Sequence, residues 1–228
     1  MRTSEETRPF VVFDVLGTLV DQAGSLRRSV AAATGWRGAD ADNLVARWLD
    51  DVAARERKII AGDAEFVPSH DLDSAALAQL VADDALSAHL SAPLATASRK
   101  LEPWPDSVEG LARLAEDMIV GGLSNASHQV LSALVEASGM RWHLTLSAED
   151  ANTYKPASAI YQLALAAAPA GSGPPYLVAA HAWDLRAAAD AGLRTAYVPR
   201  PGGDSPRLDD HFDIYAADLA DLHTQLLG

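Results

Sequence analysis

Two hydrophobic rhythms alternate along the chain. Residues Pro9 to Val15 (PFVVFDV) form a short apolar run rich in Val and Phe, which suits a strand buried on both faces. From Asp21 to Lys100 the rhythm changes. Ala, Leu, Arg and Asp recur at helical spacing in NLVARWLDDVAARERKII and SAALAQLVADDALSAHL, and strand-like alternation is scarce. This stretch reads as a block of helices.

After Lys100 the signals alternate. Asp106 to Asp117 predicts a helix, with Asp106 as N-cap and Glu109 three residues on. Met118 to Leu123 predicts a strand, and Ser127 to Ser138 a helix closed by Gly139. Trp142 to Leu146 is a weaker strand signal, and Ala157 to Ala168 a helix with Pro156 near its first turn. Tyr176 to Ala180 and Arg194 to Val198 read as strands around a helix from Asp184 to Ala191, and Leu219 to Leu227 as a terminal helix. PAGSGPP and PRPGGDSP are loops. Alternating strand and helix implies a parallel sheet with right-handed crossovers. The fold class is therefore α/β, a doubly wound parallel sheet with a helical insert after the first strand.

Composition narrows the function classes. The 228 residues carry 18 Lys+Arg against 31 Asp+Glu, a net charge of −13, which argues against nucleic-acid binding. Cysteine is absent, so disulfides, thiolate metal sites and a cysteine nucleophile are excluded. No run reaches the ~18 apolar residues of a membrane helix. The opening MRTSEETRP is polar and charged, so no signal peptide and a cytoplasmic location are expected.

Candidate chemistry gathers at strand ends. Asp14 follows VVF, Ser124 and Asn125 follow GGL, His181 and Asp184 follow YLVAA, and Lys155 precedes a helix. In a parallel sheet these points share one edge, outside the carboxyl ends of the strands. Each has an ordinary alternative: Asp14, Asn125, Ser127 and Asp184 can cap turns or helices, and Lys155 can be a solvated loop lysine. Together they supply a nucleophile, hydrogen-bond donors, a cation and a base, which separate caps would not.

FDVLGTL, LSNAS, YKPASAIY and AAHAWDLRAAADAGL, in this order, resemble the motifs of the haloacid dehalogenase superfamily. The resemblance implies a Rossmann-like core from residues 1–20 and 101–228 and a helical cap from residues 21–100. Superfamily phosphatases carry a second Asp where this chain has Leu16, and a magnesium-binding acid where it has Ala180. With those oxygen ligands missing, no metal and no cofactor are expected. The sequence is more similar to L-specific 2-haloacid dehalogenases, a match that extends to Tyr161 and Trp183.

That resemblance implies an anionic small-molecule substrate and an ester formed on Asp14. Lys155 would hold Asp14 ionised, and Thr18 with the backbone after Gly17 would orient it. Ser124 and Asn125 would contact the substrate carboxylate or an oxyanion, and Asp184 with His181 would handle water. Leu16 and Trp183 would form an apolar wall. The family's cap arginine follows a tryptophan, but Leu49 follows Trp48 here; Arg47, Arg55, Arg57 or Arg28 would have to replace it. Ala179 and His181 stand where the family has Ser and Asn. Epoxide opening, as in cis-epoxysuccinate hydrolases with the same His-x-x-Asp spacing, is an alternative, as is a fold kept for binding without turnover. An apolar cap face would suit a homodimer.

Overall fold

A computed structural model describes residues 8–228. The leader-free reading of the N-terminus rests largely on residues 1–7, which lie outside the described residues. The first strand, β1 (Phe10–Phe13), is buried along its whole length. It is shorter than the apolar run predicts, because Asp14 and Val15 already leave the sheet.

The chain then forms a two-residue ribbon strand, β2 (Val20–Asp21), and the predicted helical block: α1 (Gln22–Thr34), α2 (Ala39–Ala61), α3 (Ser69–Ala82) and α4 (Ala88–Leu94). A 3-10 turn over Ala97–Lys100 leads to β3 (Glu102–Pro103), which pairs antiparallel with β2 and closes the insert at its base. Leu44, Val45, Trp48, Leu77 and Leu80 fill the centre of the block. Each fully buried leucine of this kind contributes about 1.5–3 kcal/mol through apolar burial.

The core continues with α5 (Ser107–Asp117), β4 (Ile119–Ser124), α6 (His128–Ser138), β5 (Leu144–Ser147), α7 (Ala148–Ala151) and α8 (Ser158–Ala167). It ends with β6 (Tyr176–Ala179), α9 (Ala182–Ala191), β7 (Arg194–Tyr197), β8 (Ile214–Tyr215) and α10 (Leu219–Leu227). The six-stranded sheet has the order β5-β4-β1-β6-β7-β8, and every pair in it is parallel. Successive residues of β1 face opposite sides. Val11 and Phe13 pack with Leu111, Leu134 and Leu222 on one face, while Phe10 and Val12 pack with Ile160, Tyr161 and Leu185 on the other. Helices therefore cover both faces, as the doubly wound reading expects. Strand order reverses at β1, which places the crevice above its carboxyl end.

Local signals hold at several ends. The Ser127 hydroxyl accepts from Val130 N–H, and Gly139 closes α6 in the left-handed region. Asp106 departs from the prediction: it precedes α5, but its side chain makes no cap bond. Its carboxylate instead accepts from Leu219 N–H at 3.1 Å and pairs with Arg200 at 2.8 Å. A tertiary ion pair has displaced the local cap. Among the described residues, no helix is long and apolar enough to cross a membrane.

Gly110 marks the closest approach of α5 and α10: a Cβ built there lies 2.5 Å from Leu219 Cβ. Gly110→Ala gains about 1 kcal/mol of helix propensity but overpacks this contact, at a cost of about 1–3 kcal/mol. The expected net result is a lower urea midpoint.

Candidate active site

Asp14 lies one residue beyond β1, where its N–H donates to Val178 O at 2.9 Å and keeps it aligned with β6. Gly17 then turns the chain at φ +86°, and a Cβ there would lie 2.6 Å from His181 Nε2. Only glycine meets both demands at this position. Its N–H donates to Val20 O, and in the backbone after it, expected to orient Asp14, the Leu19 and Val20 N–H groups both donate to Val15 O. Trp104 Nε1 donates to Gly17 O at 3.1 Å and Arg200 Nε to Thr18 O at 2.9 Å, which pins the loop.

Thr18 Oγ1 accepts from Ala180 N–H at 2.9 Å and donates to Asp14 Oδ2 at 2.7 Å. The first bond fixes the direction of the hydroxyl proton in the second. Lys155 lies between α7 and α8, with its backbone N–H donated to Asn125 Oδ1 at 2.8 Å. Its ammonium donates to Asp14 Oδ1 at 3.1 Å and Asp184 Oδ2 at 2.6 Å. Tyr161 OH donates to Asp184 Oδ1 at 2.6 Å. Side-chain exposure is 1% for Lys155, 9% for Asp14 and 0% for Asp184. Burial alone would lower the Lys155 pKa, but Asp14 and Asp184 outweigh it and hold the ammonium charged. Burial and the Asp184 charge push the Tyr161 phenol up, so it remains a donor.

A cavity of about 230 Å³ separates this edge from the helical block. Asp14, Leu16, Asn125, Lys155, His181 and Trp183 line its core side. His181 and Trp183 stack at 6.0 Å between ring centroids, with Trp183 38% exposed. The opposite wall presents Leu49, Val52, Ala53 and Glu56 of α2, with Ser69 and Asp73 of α3. Positions 49, 52, 53 and 56 form one helical stripe.

Four predicted residues stand behind the lining: Thr18, Ser124, Tyr161 and Asp184 are fully buried and act through neighbours. The expected substrate contacts of Ser124 and Tyr161 are thereby corrected. The Ser124 hydroxyl accepts from Ala126 N–H at 3.1 Å, and Tyr161 is spent on Asp184. Both Asp184 oxygens are engaged, so water entering the cavity meets Asp14, Lys155 and His181 first.

The arginine replacements are also corrected. Arg47 pairs with Asp83 and Arg55 with Asp51, and neither lines the cavity. Arg47 is two residues before Leu49 and Arg55 two after Ala53. Two residues turn a helix by about 200°, which carries both side chains off the cavity stripe. Arg28 pairs with Asp21 and Glu102, and Arg57 is not a lining residue.

Glu56 and Asp73 were not foreseen. Burial is the main cause that raises Glu56 from 4.5 to about 7, with Asp73 adding to it and an Asn125 hydrogen bond and Arg57 opposing it. Burial likewise raises Asp73, against a hydrogen bond donated by Trp48 Nε1 at 2.8 Å. The usable signal was the apolar stripe at 49, 52 and 53, which continues into an acid at 56.

Two stability experiments probe this arrangement. Lys155→Met leaves two buried carboxylates without their cation and is expected to cost about 3–5 kcal/mol in urea unfolding at pH 7. Glu56 has a folded pKa of about 7 against 4.5 unfolded, so its ionisation opposes folding at high pH. That opposition is full above about pH 7 and disappears as pH falls to about 4.5. Glu56→Gln is therefore expected to melt above the wild type at pH 8, with the gap closing near pH 5.

Comparison with known proteins agrees with this geometry. The sequence model of the haloacid dehalogenase-like hydrolase family matches residues 10–192. (S)-2-haloacid dehalogenase 4A of Burkholderia cepacia is 29% identical over 201 residues, 84% of this chain and 83% of that enzyme. The (S)-2-haloacid dehalogenase of Pseudomonas fluorescens is 31% identical over 138 residues, a match that spans 59% of this chain and 61% of that enzyme's length. A crystal structure of an L-2-haloacid dehalogenase superposes with a TM-score of 0.85 at 29% identity, covering 96% of this chain and 99% of that one. The chain belongs to the haloacid dehalogenase-like hydrolase family.

Proposed function

We propose that this protein cleaves the carbon–halogen bond of a small 2-halocarboxylic acid through an ester on Asp14, without a metal. The observation that carries the reading is Asp14 on the cavity wall, with Lys155 Nζ at 3.1 Å and Leu16 where a phosphatase places its acid. The similarity to 2-haloacid dehalogenases supports it. Among the described residues, 21–100 act as a cap over a core made of residues 8–20 and 101–228.

Each Asp14 oxygen accepts one bond from a side chain, from Thr18 or Lys155, which orients the carboxylate while leaving lone pairs for attack. Leu16, Leu49 and Val52 exclude water and keep the nucleophile poorly solvated. The ammonium has three N–H groups, and the two aspartates take one each. The third is available to a substrate carboxylate. Asp14 forms a bond to C2, and the halide leaves with the bonding pair. Water then adds to Cγ of the ester, the acyl C–O bond breaks, and the hydroxy acid departs. With Nε2–H donated to Leu16 O at 3.3 Å, His181 keeps Nδ1 free to accept the water proton.

Asp14→Asn is expected to reduce halide release from 2-chloropropionate to background; near-native turnover would sink the ester mechanism. A single turnover of wild type in ¹⁸O-water is expected to place the label in Asp14 rather than in the product. Label found directly in the hydroxy acid would mean that water, not Asp14, attacks C2.

A further inference from the structure

The α2 stripe carries a single polar group. Leu49, Val52 and Ala53 are apolar, and Glu56 stands at the end of the same face. Displacement at carbon proceeds with the departing atom opposite the nucleophile. Asp14 belongs to the core wall, so the departing atom is driven toward the wall built by the helical block. Among the described residues, no Lys or Arg of that block lines the cavity. An anion that departs there meets no cation, and an ionised Glu56 would repel it.

We propose that Glu56 is a leaving-group acid: its neutral carboxyl gives a proton to the atom that departs as Asp14 attacks, which suits the site to leaving groups that need one, fluoride or an epoxide oxygen. This rests on the Asp14 ester reading. Asn125 faces Glu56 from the core wall. Its Oδ1 accepts from Lys155 N–H at 2.8 Å, and its side chain lines the same cavity as Glu56.

The charged and titratable groups around Glu56 are Asp73 on α3, Arg57 on α2 and Tyr154, with Asp14, Lys155 and His181 on the facing wall. Asp73 favours the neutral acid and Arg57 opposes it. Burial decides the balance and brings the acid to about 7, where it still holds a proton near neutral pH.

The step balances. An Asp14 oxygen bonds to carbon, the carbon–fluorine or carbon–oxygen pair moves to the departing atom, and the Glu56 proton joins it. HF or the alcohol of the opened epoxide results, and Glu56 is left as carboxylate. Ester hydrolysis consumes one water, restores the hydroxyl product and Asp14, and releases one proton, which returns Glu56 to its neutral form through solvent.

The test compares kcat/KM for bromoacetate, fluoroacetate and cis-epoxysuccinate from pH 5.5 to 9, in wild type and Glu56→Gln. Bromide departs readily without a proton, so groups common to all substrates cancel in the ratio to bromoacetate. In wild type, the fluoroacetate or cis-epoxysuccinate ratio is expected to fall about tenfold per pH unit above about pH 7, as the acid ionises. In Glu56→Gln that ratio is expected to start at least ~10²-fold lower at pH 6 and to lose its pH dependence. A ratio that stays flat in wild type overturns the proposal, even if the variant fails to fold. So does an equal loss for all three substrates, or bromide release with neither other substrate consumed. Those results leave the Asp14 reading standing; absence of turnover with every substrate, 2-chloropropionate included, overturns both.

Discussion

One ammonium held between two carboxylates, away from water, is the interaction on which the site is built. Taking ions out of water costs several kcal/mol each, and only close geometry offsets it. Here Lys155 Nζ sits 3.1 Å from Asp14 and 2.6 Å from Asp184, and Tyr161 and Thr18 satisfy the oxygens that remain. The three charges come from the end of β1, the segment before α8 and the first turn of α9. None of these segments can shift alone without leaving a buried charge unpaired. The same contact that orders Asp14 therefore holds the sheet edge together.

Much of this was legible in the sequence. Runs such as FVVF and YLVA are buried on both faces, and their spacing with helices specifies a parallel sheet. Strand-end polar residues follow from that topology, which is why Asp14, Asn125, Lys155 and His181 meet in one cavity. What escaped has physical reasons. The ribbon of β2 with β3, and β8, are two residues per strand, too short for any periodicity to register. Asp106 looked like a cap, but Arg200 and Leu219 compete for it from far along the chain.

The facing of α2 was the harder problem. A sequence shows which residues share a helical stripe but not which stripe meets the cavity. Arg47 and Arg55 were plausible by proximity to Leu49, yet they lie about 200° around the helix from Leu49 and Ala53. Their carboxylate partners, Asp83 and Asp51, are consistent with that facing. The resemblance implied an arginine of the helical block beside an anionic substrate. The walls instead set Asp14, Glu56 and Asp73 against Lys155. Attraction for an anion is thus concentrated in one buried ammonium, which two aspartates already share.

The cavity has two authors in the chain. One side is written by Asp14, Leu16, Asn125, Lys155, His181 and Trp183, while the wall it faces is written by one stripe of α2 with Ser69 and Asp73 of α3. None of the four side chains of that stripe belongs to the ion triad. A library confined to positions 49, 52 and 53 can therefore reshape that wall while the three paired charges and Glu56 stay as they are.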